Sequence, residues 1–547
     1  MRYPWIFLVA WCIAGCQSTS RRSSGNDFDF DVGGFHRAVT TSSKDAQLWF
    51  DRGLALTYGF NHEEAVRCFE KAADLDPSCA MAYWGKAYAL GPNVNNPSMS
   101  EEASKEAYDC AQKAVALADR ATAAERDLIH ALSTRYFWPA PKDRAEYDVA
   151  FARAMRRVHA AHPEDPDVAA LFAESLLDLN PWKWWTKDGV PAEEIPEAVK
   201  VIESALKRLP DHPGLCHFYI HAVEESPHPD LALAAADRLR NRVPCAGHLV
   251  HMPAHIDLLL GRYPEAILAN QRALEQDRMF VKLRGRMNFY TLYRVHNYHF
   301  VAYSSMFDGQ SRVAMEAARE LVREVPEELL AKWPDFLDAF IAMPMHVMVR
   351  FGKWEDILSE AEPPEPLCVT RTFFHYARGL AFAVLGRLEE AERERQQFAE
   401  SFAKVPESRL QFNNTARQLL VVAEVMLEGE IEYRRGNHEQ AFELLREAVN
   451  RDDALNYDEP WGWPQPSRHS LGALLIEQKR FEEAEQVYRQ DLQRRPHNAW
   501  SLHGLAECLH RTGREAQALE TEALWKKAWE RADVELRASC FCRTGSD

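Results

Sequence analysis

Three short stretches of the chain read His217-x-x-x-His221-x-x-Glu224, His248-x-x-His251-x-x-x-His255 and His296-x-x-His299. Imidazole and carboxylate groups hold divalent transition metals and move protons near neutral pH. At separations of three, four and seven residues they share one face of an α-helix, which turns once in about 3.6 residues. Eight of the 21 histidines fall within residues 217 to 299, 83 residues of 547, where even scatter would place about three. Neighbouring helices pack about 8–10 Å apart, so such faces can converge. Helical bundles build metal sites in this way, from i, i+3 or i+4 ligand pairs on facing helices. Without a matched thiolate set, the ligand types suit zinc, copper, iron or manganese. The same imidazoles would also serve a bound peptide as hydrogen-bonding groups, and both readings stand. Cys216 and Cys245 border the stretch and read as small packing residues, while Met252, Met343 and Met345 read as core.

Helices must supply those faces. From Asp45 onward apolar residues recur at i, i+3, i+4 and i+7 in blocks of 12 to 15 residues, with Gly or Pro between them. No segment alternates like a strand, so the expectation is an all-α chain with no sheet. Trp49, Gly53, Ala65, Phe69, Ala72 and Pro77 occupy positions 4, 8, 20, 24, 27 and 32 of a 34-residue unit. Small residues at 8, 20 and 27 let two helices approach, larger ones at 4 and 24 fill between them, and the proline ends the second helix. This pattern resembles the tetratricopeptide repeat, a helix-turn-helix module. Later turns at Gly261–Ala266, Gly309–Ala314, Gly352–Ile357, Gly386–Ala391, Gly436–Ala441, Lys479–Ala484 and Gly513–Ala518 keep the register. They place unit starts at 247, 295, 338, 372, 422, 465 and 499, and the prolines place earlier ones at 46, 80, about 166 and 216.

The resemblance implies a right-handed superhelical solenoid of about ten units over residues 45–535, with a tail at 536–547. In that family a concave groove, lined by positions 2, 5 and 9 of each first helix, takes a peptide or protein partner. In this register His217, His248 and His296 stand at position 2, and His251, His299 and His469 at position 5. Glu174, Glu224, His255 and His346 stand at position 9, with His221 beside the stripe. The candidate metal ligands are therefore Glu174, His217, His221, Glu224, His248, His251, His255, His296 and His299, with His346 and His469 lining the groove. Wider strings such as Cys79-Ala-Met-Ala-Tyr-Trp-Gly85, Asn180-Pro-Trp182 and Glu459-Pro-Trp461 resemble a group of bacterial tetratricopeptide proteins, a resemblance that implies no activity.

The amino terminus carries an address. The apolar run from Pro4 to Ala14 is too short to span a bilayer and suits a signal peptide over residues 1–15. Ile13-Ala14-Gly15-Cys16 resembles the lipobox of bacterial lipoproteins, which implies lipid on Cys16 and membrane attachment; the alternative is a plain secretory signal. Gln17, in place of Asp, implies the outer membrane, facing the periplasm. Residues 16–44 are rich in Ser, Thr, Gly and Asp and read as a flexible tether. The net charge, 65 − 82 = −17, argues against nucleic acid as a partner. The cysteines lack framework spacing, and Cys540 and Cys542 read as incidental.

Aromatic residues cluster beside the histidines. Trp182, Trp184 and Trp185 lie in the longest insertion, Phe289, Tyr290, Tyr293 and Tyr298 flank His296 and His299, and Trp461 and Trp463 precede His469. They would either wall a ligand pocket or fold onto neighbouring helices. No Ser-His-Asp order, nucleophile elbow, phosphate loop or dinucleotide fingerprint is present. Three classes remain: a peptide-binding scaffold, a metalloprotein acting as an oxidoreductase or hydrolase, and a purely structural surface protein. The histidine ladder argues against the last, and the sequence does not decide whether the chain is an enzyme.

Overall fold

A computed structural model describes residues 31–544. The apolar leader, Cys16 and the first part of the tether lie outside the described residues. The chain divides into two compact units, one ending at Ile256 and the other beginning at Asp257.

The first unit is built of helices α1 (Lys44–Tyr58), α2 (His62–Leu75), α3 (Ala80–Leu90), α4 (Glu101–Leu117), α5 (Ala123–Ser133), α6 (Ala145–Ala161), α7 (Pro166–Leu177), α8 (Ile195–Arg208), α9 (Pro213–Glu224), α10 (Leu233–Leu239) and α11 (Gly247–His251). Helix α12 (Pro253–Leu259) carries His255 at its start. Several start where a side chain accepts from the first amides: Ser43 caps α1, Thr122 and Glu125 form a capping box on α5, and Asp165 with Pro166 opens α7. The repeat's small-residue logic is visible around Phe69. A Cβ on Gly53 would stand 2.7 Å from its ring, and one on Gly85 would stand 2.3 Å from it. The ring thus fills the gap between α1 and α3, which only glycine leaves open.

In this part of the chain three features depart from the sequence reading. Helices α5 and α6 form a further pair that carries no legible signature. The helix expected from residue 247 is broken into α11 and α12 at Met252 and Pro253, since proline has no amide hydrogen for the helical ladder. Residues 31–43, expected as part of a loose tether, are fixed by buried charge. The guanidinium of Arg37 pairs with Asp165 and Asp167 at 2.8 Å each, its amide donates to Asp51 at 3.0 Å, and Thr40 donates to Glu125 at 2.6 Å. Tethers that are polar in composition can still be ordered when such partners lie elsewhere in the chain.

The second unit repeats the plan. Its pairs include Thr291–Phe307 with Ser311–Glu324, Cys368–Val384 with Leu388–Phe402, Ala416–Arg434 with His438–Ala454, Ser467–Glu477 with Phe481–Arg494, and Ala499–Arg511 with Glu515–Ala528. Tyr488 is held as Phe69 is, with Cβ positions on Gly472 and Gly504 falling 2.5 and 2.2 Å from its ring. Contrary to the expectation of no sheet, Leu410–Gln411 and Asn414–Thr415 form a two-residue antiparallel ladder. Asn414 holds that turn in place by donating to Asp458 at 2.6 Å. Residues 529–544 are non-helical and pack back onto the unit, so the array of helices ends at Ala528 rather than near 535. Among the described residues no helix is long and apolar enough to cross a membrane.

Candidate metal centre

In the first unit α9, α11 and α12 bring six of the candidate side chains together. His217, His221, Glu224, His248, His251 and His255 are each at most 2 % exposed. The register explains the gathering: four and seven residues are about one and two helical turns, so His217, His221 and Glu224 point off one side of α9.

Hydrogen bonds set how each ring is turned. His217 Nδ1 lies 2.6 Å from the carbonyl oxygen of Tyr58, so Nδ1–H donates and Nε2 keeps its lone pair. His221 Nδ1 lies 2.6 Å from one oxygen of Glu224, and His255 Nδ1 lies 2.6 Å from the other. Both rings therefore also keep an Nε2 lone pair. His248 Nε2 faces His217 Nε2 at 3.2 Å, and His251 Nε2 faces His255 Nε2 at 2.7 Å. His221 Nε2 is buried and has no hydrogen-bond partner. Ligating histidines commonly show this disposition, with Nδ1–H held by a carboxylate or backbone carbonyl and Nε2 turned inward.

The ligand atoms of His217, His221 and His248 lie within 4.8 Å of one another. Tetrahedral ligation with bonds of about 2.0–2.1 Å separates nitrogens by about 3.3 Å. The His217–His248 pair already stands at 3.2 Å, and small side-chain rotations close the rest. Burial, together with neighbouring imidazoles, holds His217 and His248 well below the ordinary histidine range, and burial lowers His221 despite Glu224. All three are thus neutral, as metal binding requires. Burial works against the Glu224 carboxylate, but the imidazoles of His255 and His221 hold it below its usual range.

Aromatic rings enclose this group. Trp182 and Trp184 from the insertion after α7 stand 5.6 and 6.0 Å from His221. Their indole N–H groups are anchored on Val94 and Leu177, so the wall is fixed by the backbone. Phe60 stacks on His248 at 5.3 Å and meets His217 edge-on at 4.6 Å. The sequence reading missed Phe60 and the Tyr58 carbonyl. The one available signal was an aromatic residue in the α1–α2 turn, where Phe60 takes φ 52°.

Other candidates are placed differently. Glu224 stands behind the imidazoles as their hydrogen-bond acceptor, because both its oxygens are engaged. Glu174 binds the Tyr88 hydroxyl at 2.5 Å and belongs to a buried carboxyl network with Asp178 and Arg135. In the second unit His296 packs on Phe300 and Phe412, and His299 on Phe340, with burial and His346 lowering His299 to about 3. His346 and His469, expected to line an open groove, are 4 % and 1 % exposed. His346 is packed on Phe373 at 4.6 Å, and His469 is held between Asp491 at 2.8 Å and Arg350 at 3.0 Å. Phe289, Tyr290 and Tyr293 pack on one another.

Two family models described as tetratricopeptide repeat match the chain, at residues 46–79 and 475–525. Comparison with curated proteins yields no match. Among solved structures, the chain is similar to the human IFIT1 dimer with m7Gppp-AAAA, at 13 % identity and a TM-score of 0.32, over 90 % of this chain and 91 % of that one. It is similar to yeast Tom70 at 12 % identity and a TM-score of 0.29, over 90 % and 91 % of the two chains. Likeness at this level bears on neither site nor ligand. The matched segments contain Phe69 and Tyr488, the two aromatic rings clasped between glycines, so family pattern and packing agree. The chain carries tetratricopeptide repeats at residues 46–79 and 475–525.

Proposed function

We propose that this chain is an envelope-anchored tetratricopeptide scaffold whose first unit holds a transition metal on His217, His221 and His248. The observation that carries the metal reading is His221 Nε2, a buried lone pair without a partner, aimed where two further imidazole nitrogens converge. An orphaned buried polar atom costs about 1–3 kcal/mol, and a metal ion offsets that cost. Glu224 and the Tyr58 carbonyl would orient the ligands from behind. The lipobox-like Ile13–Cys16 supports the anchored part, and the repeats support a protein or peptide partner.

Three imidazoles leave a fourth coordination position. Structural zinc sites close with four protein ligands, whereas catalytic ones keep a position for water or substrate. That ligand count favours a second reading of the same site, metal-dependent hydrolysis or oxidation beside the Trp182 and Trp184 wall.

The test is metal analysis of the purified chain after reconstitution with zinc, copper, iron or manganese. About one equivalent should bind and raise the melting temperature, by the equivalent of about 2.7 kcal/mol at a free metal concentration of 100 Kd. His221→Ala should lose both effects. Less than about a tenth of an equivalent of every metal, at concentrations that load ordinary protein sites, would leave only the scaffold.

A further inference from the structure

The residues beyond the last helix are fastened to the second unit. Asp533 accepts from the amide and the hydroxyl of Ser311, each at 2.7 Å, and Ser539 donates to the His469 carbonyl at 2.8 Å. Arg543 forms two bonds with Glu507, at 2.7 and 3.0 Å. Within this segment Cys540 and Cys542 are joined by a disulfide, two residues apart. The stability a crosslink contributes grows with the loop it closes, about 3 kcal/mol for a 15-residue loop. A loop this short contributes least, so structural stapling is a poor account of the bond.

The two sulfurs are unlike. Cys542 is 4 % exposed, whereas Cys540 is half-buried and lines a cavity of about 890 Å³ walled also by Phe351, His503, Trp525 and Phe541. Cys540 Sγ faces two donors, the Cys542 amide at 3.1 Å and the Ser470 hydroxyl at 3.4 Å. Donors aimed at a sulfur favour its thiolate. Elsewhere burial pushes the thiols of Cys216, Cys245 and Cys508 up to about 12, away from thiolate chemistry at neutral pH.

We propose that Cys540–Cys542 is a thiol–disulfide exchange site whose reaction partner is a dithiol entering the cavity. One thiolate of the dithiol attacks Cys540 Sγ, the Cys540–Cys542 bond breaks, and its electron pair leaves on Cys542, which takes a proton from water. The second thiol of the dithiol then attacks the mixed disulfide and expels Cys540 as the hydrogen-bonded thiolate. The dithiol departs as its disulfide, and two electrons have entered the protein. The reverse sequence oxidises a dithiol.

Site-resolved alkylation and mass spectrometry of the full chain, titrated with dithiothreitol, test this. Cys540 and Cys542 should open together and reversibly, with far-ultraviolet circular dichroism and melting unchanged. In a second measurement, Cys542→Ser should form a mixed disulfide with glutathione disulfide at Cys540 at least about tenfold faster than Cys540→Ser does at Cys542, because exposure and thiolate character set the rate. Free thiols at both positions in air-oxidised protein, opening only on unfolding, or equal rates in the two variants would each overturn the proposal.

Discussion

Glu224 is the residue on which the first unit's histidines depend most directly. Its two oxygens fix the tautomers of His221 and His255, and both Nε2 lone pairs follow from that. Replacing Glu224 with Gln leaves a single carbonyl acceptor for two Nδ1–H groups, so one ring loses its orientation. Metal affinity is expected to fall about 10–100-fold while the fold is kept, the usual size of an outer-shell effect. Competition titration with a chelating dye measures it, and an unchanged affinity would remove Glu224 from the site. Glu174 gives a prediction of opposite character. Burial first, and the charge of Asp178 second, raise its carboxyl to about 8, so it stays protonated in the folded protein near neutral pH. A raised carboxyl contributes stability that is full below the ordinary carboxylate range and is lost as pH rises toward the folded value. The stability difference between the wild type and Glu174→Gln should therefore fall as pH rises from roughly 5 to 8. Urea denaturation across that range reads it, and a flat difference would contradict the assignment.

At the scale of elements, helix spacing is set by glycine. Phe69 touches the backbone of α1 and α3 because Gly53 and Gly85 carry no Cβ. The Gly85→Ala change is expected to overpack the contact and cost about 1–3 kcal/mol, read as a lower urea midpoint with an unaltered slope. Loss of less than about 0.5 kcal/mol would mean that the pair relaxes freely. This packing was legible in the sequence, since the repeat register is a record of which side chains sit between which helices. The α5–α6 pair was not legible, because it falls between the unit starts at 80 and about 166 that the turns and prolines mark. The break between α11 and α12 could have been read from Pro253, whose missing amide forbids a continuous helix. It matters to the site, because His251 ends one segment and His255 opens the next, and the break decides how the two rings meet.

For the molecule as a whole, the proposed anchor makes the simplest prediction. Cys16→Ser should abolish labelling by a fatty-acid probe and move the protein from the membrane to the soluble envelope fraction; one acyl chain binds membranes only marginally, so more than one is expected. Membrane association that survives the change would count against the lipoprotein reading. By itself, the sequence determined the repeat, the helical class and the stripe of histidines, because each is a periodicity along one helix and needs no knowledge of its neighbours. Only the tertiary structure decided what those histidines face. It turned Glu224 into an acceptor for two rings, sent Glu174 to Tyr88, and packed His346 and His469 into the core of the second unit. It also ordered residues 31–43, through an Arg37 guanidinium whose carboxylate partners lie 128 and 130 residues away. Contacts between residues so far apart are set by how helices stack and by which buried polar atoms find partners. Neither leaves a period in the chain.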